Sequence, residues 1–260
     1  ANTTHRLTHK WTNELTVKST ITPVKALMIM PKFSWNYCRE KTDFHYGPLD
    51  TTAVRTSNTY EPSIFLKWKM SRVRNMDIAF AYNTTVPDLV STLGYRNTID
   101  PLHIYMGNPL LRNSHSHTTT YNYHRMWLRK QIVLGLTASH NKDINPEATL
   151  YSYNSATGVY TSKPMNVKGG DMWKFAFNYD QGIGFYFRLM NKFSLETAKS
   201  YGFLTIVDNN AADAQPELNK QKRLGINNDF EFSYETEKLQ LTLFDRLESN
   251  RYRYDDASYN

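Results

Sequence analysis

The histidines are the residues in this sequence best suited to bind a metal. His115, His117 and His124 lie close together, and His5 and His9 stand near the start. His115 and His117 are two apart, so on a strand both imidazoles share a face. Zinc needs three or four such ligands, and no cysteine or neighbouring carboxylate completes the set, so a metal site is not expected. Cys38 is the single cysteine, which excludes an intramolecular disulfide framework and a cysteine-based zinc site. The carboxylates Glu14, Asp77, Glu231 and Asp245 fall at alternating strand positions, where a wet face explains them without acid–base chemistry. No nucleophile elbow, phosphate loop, dinucleotide fingerprint or zinc-protease helix occurs. Asn2-Thr3-Thr4 and Asn83-Thr84-Thr85 match the glycosylation acceptor pattern, at a length where chance matches are common. The expectation is no enzyme, no catalytic residues and no cofactor.

The elements that would position these residues are strands. Trp173, Phe175, Phe177 and Tyr179 alternate with Lys174, Ala176, Asn178 and Asp180. Met76, Ile78, Phe80 and Tyr82 oppose Asp77, Ala79, Ala81 and Asn83. Leu7, Trp11, Leu15 and Val17 alternate with Thr8, Lys10, Thr12, Glu14, Thr16 and Lys18, and the same pattern runs through 224–234. A period of two gives each segment one apolar and one polar face. The alternation predicts strands near 5–20, 26–41, 60–72, 76–84, 115–128, 131–142, 170–180, 185–198, 223–235 and 239–249. Several exceed the roughly 5–6 residues of a globular strand and reach the roughly 9–11 that cross a bilayer at a tilt.

The connections fall into two kinds. Short turns are expected around Pro23, Arg74–Asn75, Arg129–Lys130, Gln181–Gly184 and Thr236–Lys238. Long loops are expected at about 42–59, 85–114, 143–169 and 199–222. Short turns at one rim and long loops at the other are the layout of an outer-membrane barrel, whereas a soluble sandwich has no physical reason to sort its loops. Pro31, inside the second strand, removes a ladder donor and implies a bulge or a sheet edge.

Composition fits this picture. Hydrophobic residues make up 40%, a low share that suits a barrel with a wet lumen, and 18 Tyr, 13 Phe and 5 Trp suit two polar–apolar interfaces. Trp68 and Trp127 lie near expected short turns and Trp173 near a long loop, as two interfacial girdles require; filling a sandwich core is the other use for them. No run of 18 apolar residues exists, so any spanning is by a closed barrel. The net charge is +7, carried by basic residues scattered at alternate positions, which disfavours nucleic acid and leaves anionic lipid or ligand. At the outer rim those residues could meet lipopolysaccharide phosphates.

Ile99–Arg112 (Ile-Asp-Pro-Leu-His-Ile-Tyr-Met-Gly-Asn-Pro-Leu-Leu-Arg) resembles the loop and strand start of TonB-dependent outer-membrane receptors, in particular the barrel portion of the type abundant in Bacteroidota. There a Gly-Asn-Pro-x-Leu-Lys/Arg motif opens a descending strand, as Gly107–Arg112 would here. Gly169–Trp173 and Ser249–Ser258 are similar in style. Where that family continues with Pro-Glu, Asn113-Ser114 stands instead. The resemblance implies TonB-dependent uptake of a nutrient such as a metal chelate, glycan or peptide, with outer-membrane lipid and the energy-coupling complex as partners.

The fold expected is therefore all-β, a long-stranded antiparallel meander over residues 1–260 that is part or all of a bacterial outer-membrane β-barrel. With about ten strands against 22 in a complete receptor, it reads as an internal piece of barrel without plug or last strands; a small closed barrel is the other option. The loop 85–114 is the expected point of ligand contact, through Tyr95, Arg96, His103, Tyr105 and Arg112. A passive porin and a soluble secreted β-rich binding domain are the alternatives.

Overall fold

The computed structural model describes residues 4–46, 49–207 and 217–254. In chain order its strands are β1 (Thr4–Lys18), β2 (Ile21–Val24), β3 (Leu27–Tyr46), β4 (Leu49–Ser71) and β5 (Arg74–Thr85). Then come β6 (Arg96–Asp100), β7 (His103–Met106), β8 (Ser114–Trp127), β9 (Ile132–Ile144), β10 (Glu147–Asn154) and β11 (Val159–Asn166). The last are β12 (Asp171–Ile183), β13 (Phe187–Phe203), β14 (Ile206–Val207), β15 (Leu218–Glu235) and β16 (Gln240–Tyr254). The main sheet runs β1-β3-β4-β5-β8-β9-β12-β13-β15-β16, with β2 also on β3. Every neighbour in it is antiparallel and, short β2 aside, consecutive along the wall, so the fold is all-β and a meander. Among the described residues β1 pairs with β3 and β16 with β15, and the two outer strands of this path do not meet.

Residues directly opposite in an antiparallel pair share a face, so the register assigns every side chain to one of two surfaces. One surface carries Leu15 beside Trp35 and Tyr60, Ile78 beside Leu66 and Tyr121, Leu136 beside Tyr123 and Phe177, and Phe232 beside Leu189 and Leu243. It is a continuous apolar belt that nothing covers: Leu15 and Val17 are each more than half exposed. The other surface carries Thr16 beside Ser34 and Glu61, and Thr137 beside Asn122 and Ala176. Ser34 is 1% exposed on this surface. Apolar outside and polar inside is the inversion that a lipid environment demands.

The turns collect on one rim. They are Lys25–Ala26, Arg72–Val73, the 3-10 turn Leu128–Lys130 closed by left-handed Gln131 (φ 53), Gly184–Tyr186 and Thr236–Leu239. Gly184 has φ 64, a conformation open to glycine without strain. The first two turns therefore sit two residues away from the positions expected near Pro23 and Arg74–Asn75.

The opposite rim corrects the sequence reading more deeply. No long loop fills 42–59: β3 and β4 stay paired from Leu27↔Trp68 to Tyr46↔Leu49. The belt ends at Tyr37, so residues 38–46 extend about 30 Å beyond it at ~3.3 Å per residue. Beyond the belt both faces are wet, so apolar alternation stops while the hydrogen-bond ladder continues. For the same reason β13 and β15 run on to Phe203 and from Leu218, which shortens the loop expected at 199–222.

Two prolines mark where ladders stop. The Ser19 N–H donates to the Pro31 carbonyl (3.1 Å), so Pro31 turns its donorless nitrogen toward the edge strand, at the break between β1 and β2. Backbone groups alternate sides, which turns Pro62 toward β5, and the β4–β5 ladder ends next door at Ser63↔Ala81. Pro31 thus stands beside an edge, and a register shift also falls in the facing β2 between Ile21 and Val24.

Candidate functional site

Three long connections meet on the loop rim and build a second sheet of their own, in the order β14-β10-β11-β7-β6. β10 and β11 form an antiparallel hairpin, while β7 adds to β11, and β14 to β10, in parallel. The expected loops 85–114 and 143–169 are thus largely folded. The motif Gly107–Arg112 ties them together. Gly107 N–H donates to the Tyr95 carbonyl (2.9 Å), and Asn108 N–H to that of Ser91 (2.7 Å). A Cβ on Gly107 would collide with the Leu93 carbonyl, so only glycine allows this approach. The buried Asn108 amide donates to the Pro164 carbonyl (2.8 Å), and Asn166 grips Arg112 by accepting from its N–H (2.7 Å) and donating to its carbonyl (3.0 Å).

The structure separates the five residues expected to contact ligand into four places. Tyr95 and Tyr105 touch each other (5.8 Å between centroids), Tyr95 packs on buried Phe44 (5.1 Å), and the Tyr105 hydroxyl donates to Ser91 Oγ (3.0 Å). They pin the loop to β3. His103 is exposed, paired with Asp100 (2.8 Å) and stacked on Tyr160 (5.7 Å). The Leu102 N–H and the His103 ring hold the Asp100 carboxyl below its usual range. Arg96 is exposed on β6, at one side of the small sheet. Arg112 lines a pocket of about 320 Å³ together with Asn108, Leu110, Asn145, Lys163, Met165 and Asn166.

A larger site lies on the inner surface. A cleft of about 610 Å³ is bounded by Lys10, Glu14, Cys38, Glu40 and Arg55 on β1, β3 and β4, and by Asp88 from the loop. Arg55 pairs with Glu40 (2.9 Å) on the inner wall. Arg6, also on the inner face of β1, holds Asp88 (2.7 Å), so the first turn of the loop folds inward and not out into solvent. Leu89 and Val90 follow it into cover, Val90 against Phe44. Burial alone would raise the Asp88 carboxyl; hydrogen bonds and charge from Arg6, with the Val90 and Ser91 N–H groups, outweigh it and hold it below its usual range. Nothing local in the sequence marks this contact, since its partners are 82 residues apart.

Among the described residues no group of three or more His, Cys, Asp or Glu is placed to hold a metal. His115 and His117 do share a face, the outer one, where His115 stacks on Tyr82 (5.4 Å) and His117 meets it edge-on (4.9 Å) just below the loops. His140 stacks on Trp173 (4.2 Å) at the same side of the belt. Trp68 and Trp127 lie at the turn rim, Trp127 beneath the Arg125 guanidinium (4.2 Å). Aromatic rings therefore flank the belt at both rims.

The profile of the outer membrane protein beta-barrel family matches residues 39–260. No protein of curated function matches the sequence. In fold, the chain is similar to the outer membrane transporter YddB from Escherichia coli (TM-score 0.52, 8% identity) and to the copper transporter OprC (TM-score 0.56, 7% identity). The likeness covers 94% and 96% of this chain but 35% and 40% of those two, so this chain spans well under half the length of either.

Proposed function

The chain belongs to the outer membrane protein beta-barrel family, and from that premise we propose that it forms wall and extracellular loops of a TonB-dependent nutrient receptor. Its place is the bacterial outer membrane, with lipid against the apolar belt. The observation that carries the transport reading is the loop 86–113. A bare pore gains nothing from a folded cap, whereas here the loop both adds two strands to the sheet at the loop rim and turns inward onto the 610 Å³ cleft. A ligand captured outside would meet the exposed Arg96, His103 and Arg112 first, and the inner cleft beside Asp88 next. The pocket around Arg112 and Lys163, two cations among amides with Leu110 and Met165 beside them, suits the carboxylates or hydroxyls of a metal chelate, glycan or peptide. On this reading the protein acts as a carrier.

The test is growth of cells carrying the intact protein on candidate chelates, glycans or peptides as sole nutrient, with and without the energy-coupling complex. Uptake that vanishes without coupling supports the reading. Uptake that persists, with steady ion conductance of the purified protein in planar bilayers, makes it a passive porin. Replacing Arg96, His103 and Arg112 together with alanine is expected to lower uptake while leaving the loop folded. Loss of Tyr95 and Tyr105 is expected to unfold the loop as well, which protease digestion would detect.

A further inference from the structure

Of the four carboxylates expected on a wet face, Glu14, Asp77 and Glu231 lie on the inner surface. Asp245 does not. It stands opposite Phe230, between Leu243 and Leu247 on the outer row of β16, and is exposed. The turn that ends at Leu239 lies six residues away on one side. Arg251, the nearest outward cation on β15 or β16, lies six residues away on the other, about 20 Å each way at ~3.3 Å per residue. That is the middle of the belt, where other strands place Leu66, Ile78, Leu136 and Phe177 outward.

Two amides accompany it. Asn191 on β13 shares its row, with Phe230 between them, and Asn228 on β15 lies one step toward the loop rim. The Asn191 amide donates to the Asn228 side-chain oxygen (2.9 Å). Beyond that bond the patch is unsatisfied. Among the described residues nothing donates to the Asp245 carboxylate, and the Asn228 amide reaches no acceptor. The nearby outward Tyr179 hydroxyl, by contrast, donates to Gln181 (2.6 Å) within the wall.

A polar group set against hydrocarbon without a hydrogen bond is costly, and charge on the lipid face of a barrel destabilises it most at mid-depth. A protein surface over the patch lowers that cost, because polar side chains hydrogen-bond between membrane-embedded segments. The patch carries an unmet acceptor at Asp245 and unmet donors at Asn228, so it complements itself. A partner offering only a cation would answer Asp245 and leave the amide donors unmet. A two-fold axis along the membrane normal keeps each residue at its own depth. Asn191 lies five residues from Tyr186, Asp245 six from Leu239 and Asn228 eight from Thr236, so the amides flank Asp245 in depth. An axis passing Phe230 sets the β13 side of one copy against β16 of the other, amides against carboxylate, and symmetry repeats the contact. Toward the turn rim, Phe187, Phe232, Tyr234, Leu241, Thr242 and Leu243 line an open hollow of about 580 Å³, and Phe185 on the turn before β13 is 97% exposed.

We propose that the outer face of β13, β15 and β16 is the contact through which two copies of this protein pair in the membrane. Asp245 of each copy accepts from the Asn228 and Asn191 amides of the other, and Phe185 of each enters the other's hollow. The inference depends on membrane orientation and is independent of whether the protein transports by energy coupling.

The test is crosslinking in outer membranes of cells carrying the intact protein with Cys38→Ser, using a thiol reagent that spans about 10 Å, the spacing of face-to-face sheets. Phe230→Cys, beside the axis, is expected to give a product of twice the protein's mass. Ile78→Cys, on the same belt but five strands away, is expected to give none. In mild detergent, sedimentation equilibrium is expected to show a dimer that Asp245→Leu weakens about tenfold, since each polar contact between membrane-embedded segments contributes about a factor of three and symmetry removes two at once. Heat-dependent gel mobility checks that every variant is folded. Four results would overturn the proposal. Equal crosslinking at both positions would mean chance collision, and a dimer indifferent to Asp245→Leu would place the contact elsewhere. Absence of any product would leave the patch to lipid, and a product with a different protein would assign it to another partner.

Discussion

Asp88 is the residue through which the loop and the inner wall communicate. Its pair with Arg6 is partly exposed, so solvent screening limits its worth. Asp88→Asn is expected to lower hydrogen-exchange protection of residues 86–93 by up to about fivefold while leaving the strands protected. Because the folded carboxyl sits below its ordinary value of 3.8, the contact is complete above that value and is lost only as pH falls through the lower native one. Protection of 86–93 measured from pH 8 down to pH 5 is therefore expected to stay flat, with loss confined to stronger acid. Gly107 is the second sensitive residue. Gly107→Ala drives a methyl group into the Leu93 carbonyl and is expected to cost about 1–3 kcal/mol of loop-sheet stability, read as protease cleavage within 86–113. Neither contact was legible in the sequence. Gly107 drew notice only through the motif it belongs to, and the Arg6–Asp88 pair joins two segments with no pattern in common.

At the scale of the strand, the alternation was legible because lipid on one side and water on the other impose it. Leu136 and Thr137 are neighbours in β9 with opposite fates: Leu136 lies between Tyr123 and Phe177 on the outer belt, Thr137 between Asn122 and Ala176 inside. Leu136→Lys is expected to cost about 2–4 kcal/mol in urea unfolding from lipid vesicles, as a cation at mid-membrane depth does, and Thr137→Lys much less. Equal costs would mean that the faces are assigned wrongly. The same logic explains what the pattern hid. Around Arg39, Lys41, Asp43 and His45 the outward positions of β3 are polar because the strand has left the membrane, so residues 42–59 read as loop although 42–46 and 49–59 are paired with one another or with the rest of β3. The small sheet was invisible for a related reason: β10 and β11 are eight residues each, with Pro164 inside the second, and β14 is two residues long. The Trp girdles could be placed beforehand because they depend only on distance from a turn.

For the molecule as a whole, the wall is a curved antiparallel sheet with sorted loops, an apolar outer belt and charge-paired interior, and these features depend on one another. Remove the lipid and the belt becomes an exposed apolar surface of the kind that drives aggregation. The most direct test of that account is nitroxide labelling of successive positions 173–180 on β12, one at a time in the intact protein with Cys38 replaced by serine, reconstituted in lipid. Collision with oxygen, which partitions into lipid, is compared with collision with a water-soluble nickel chelate. The account predicts a period of two, with oxygen favoured at Trp173, Phe175, Phe177 and Tyr179 and nickel at Lys174, Ala176, Asn178 and Asp180. Accessibility to nickel at all eight positions, or an inverted phase, would contradict it.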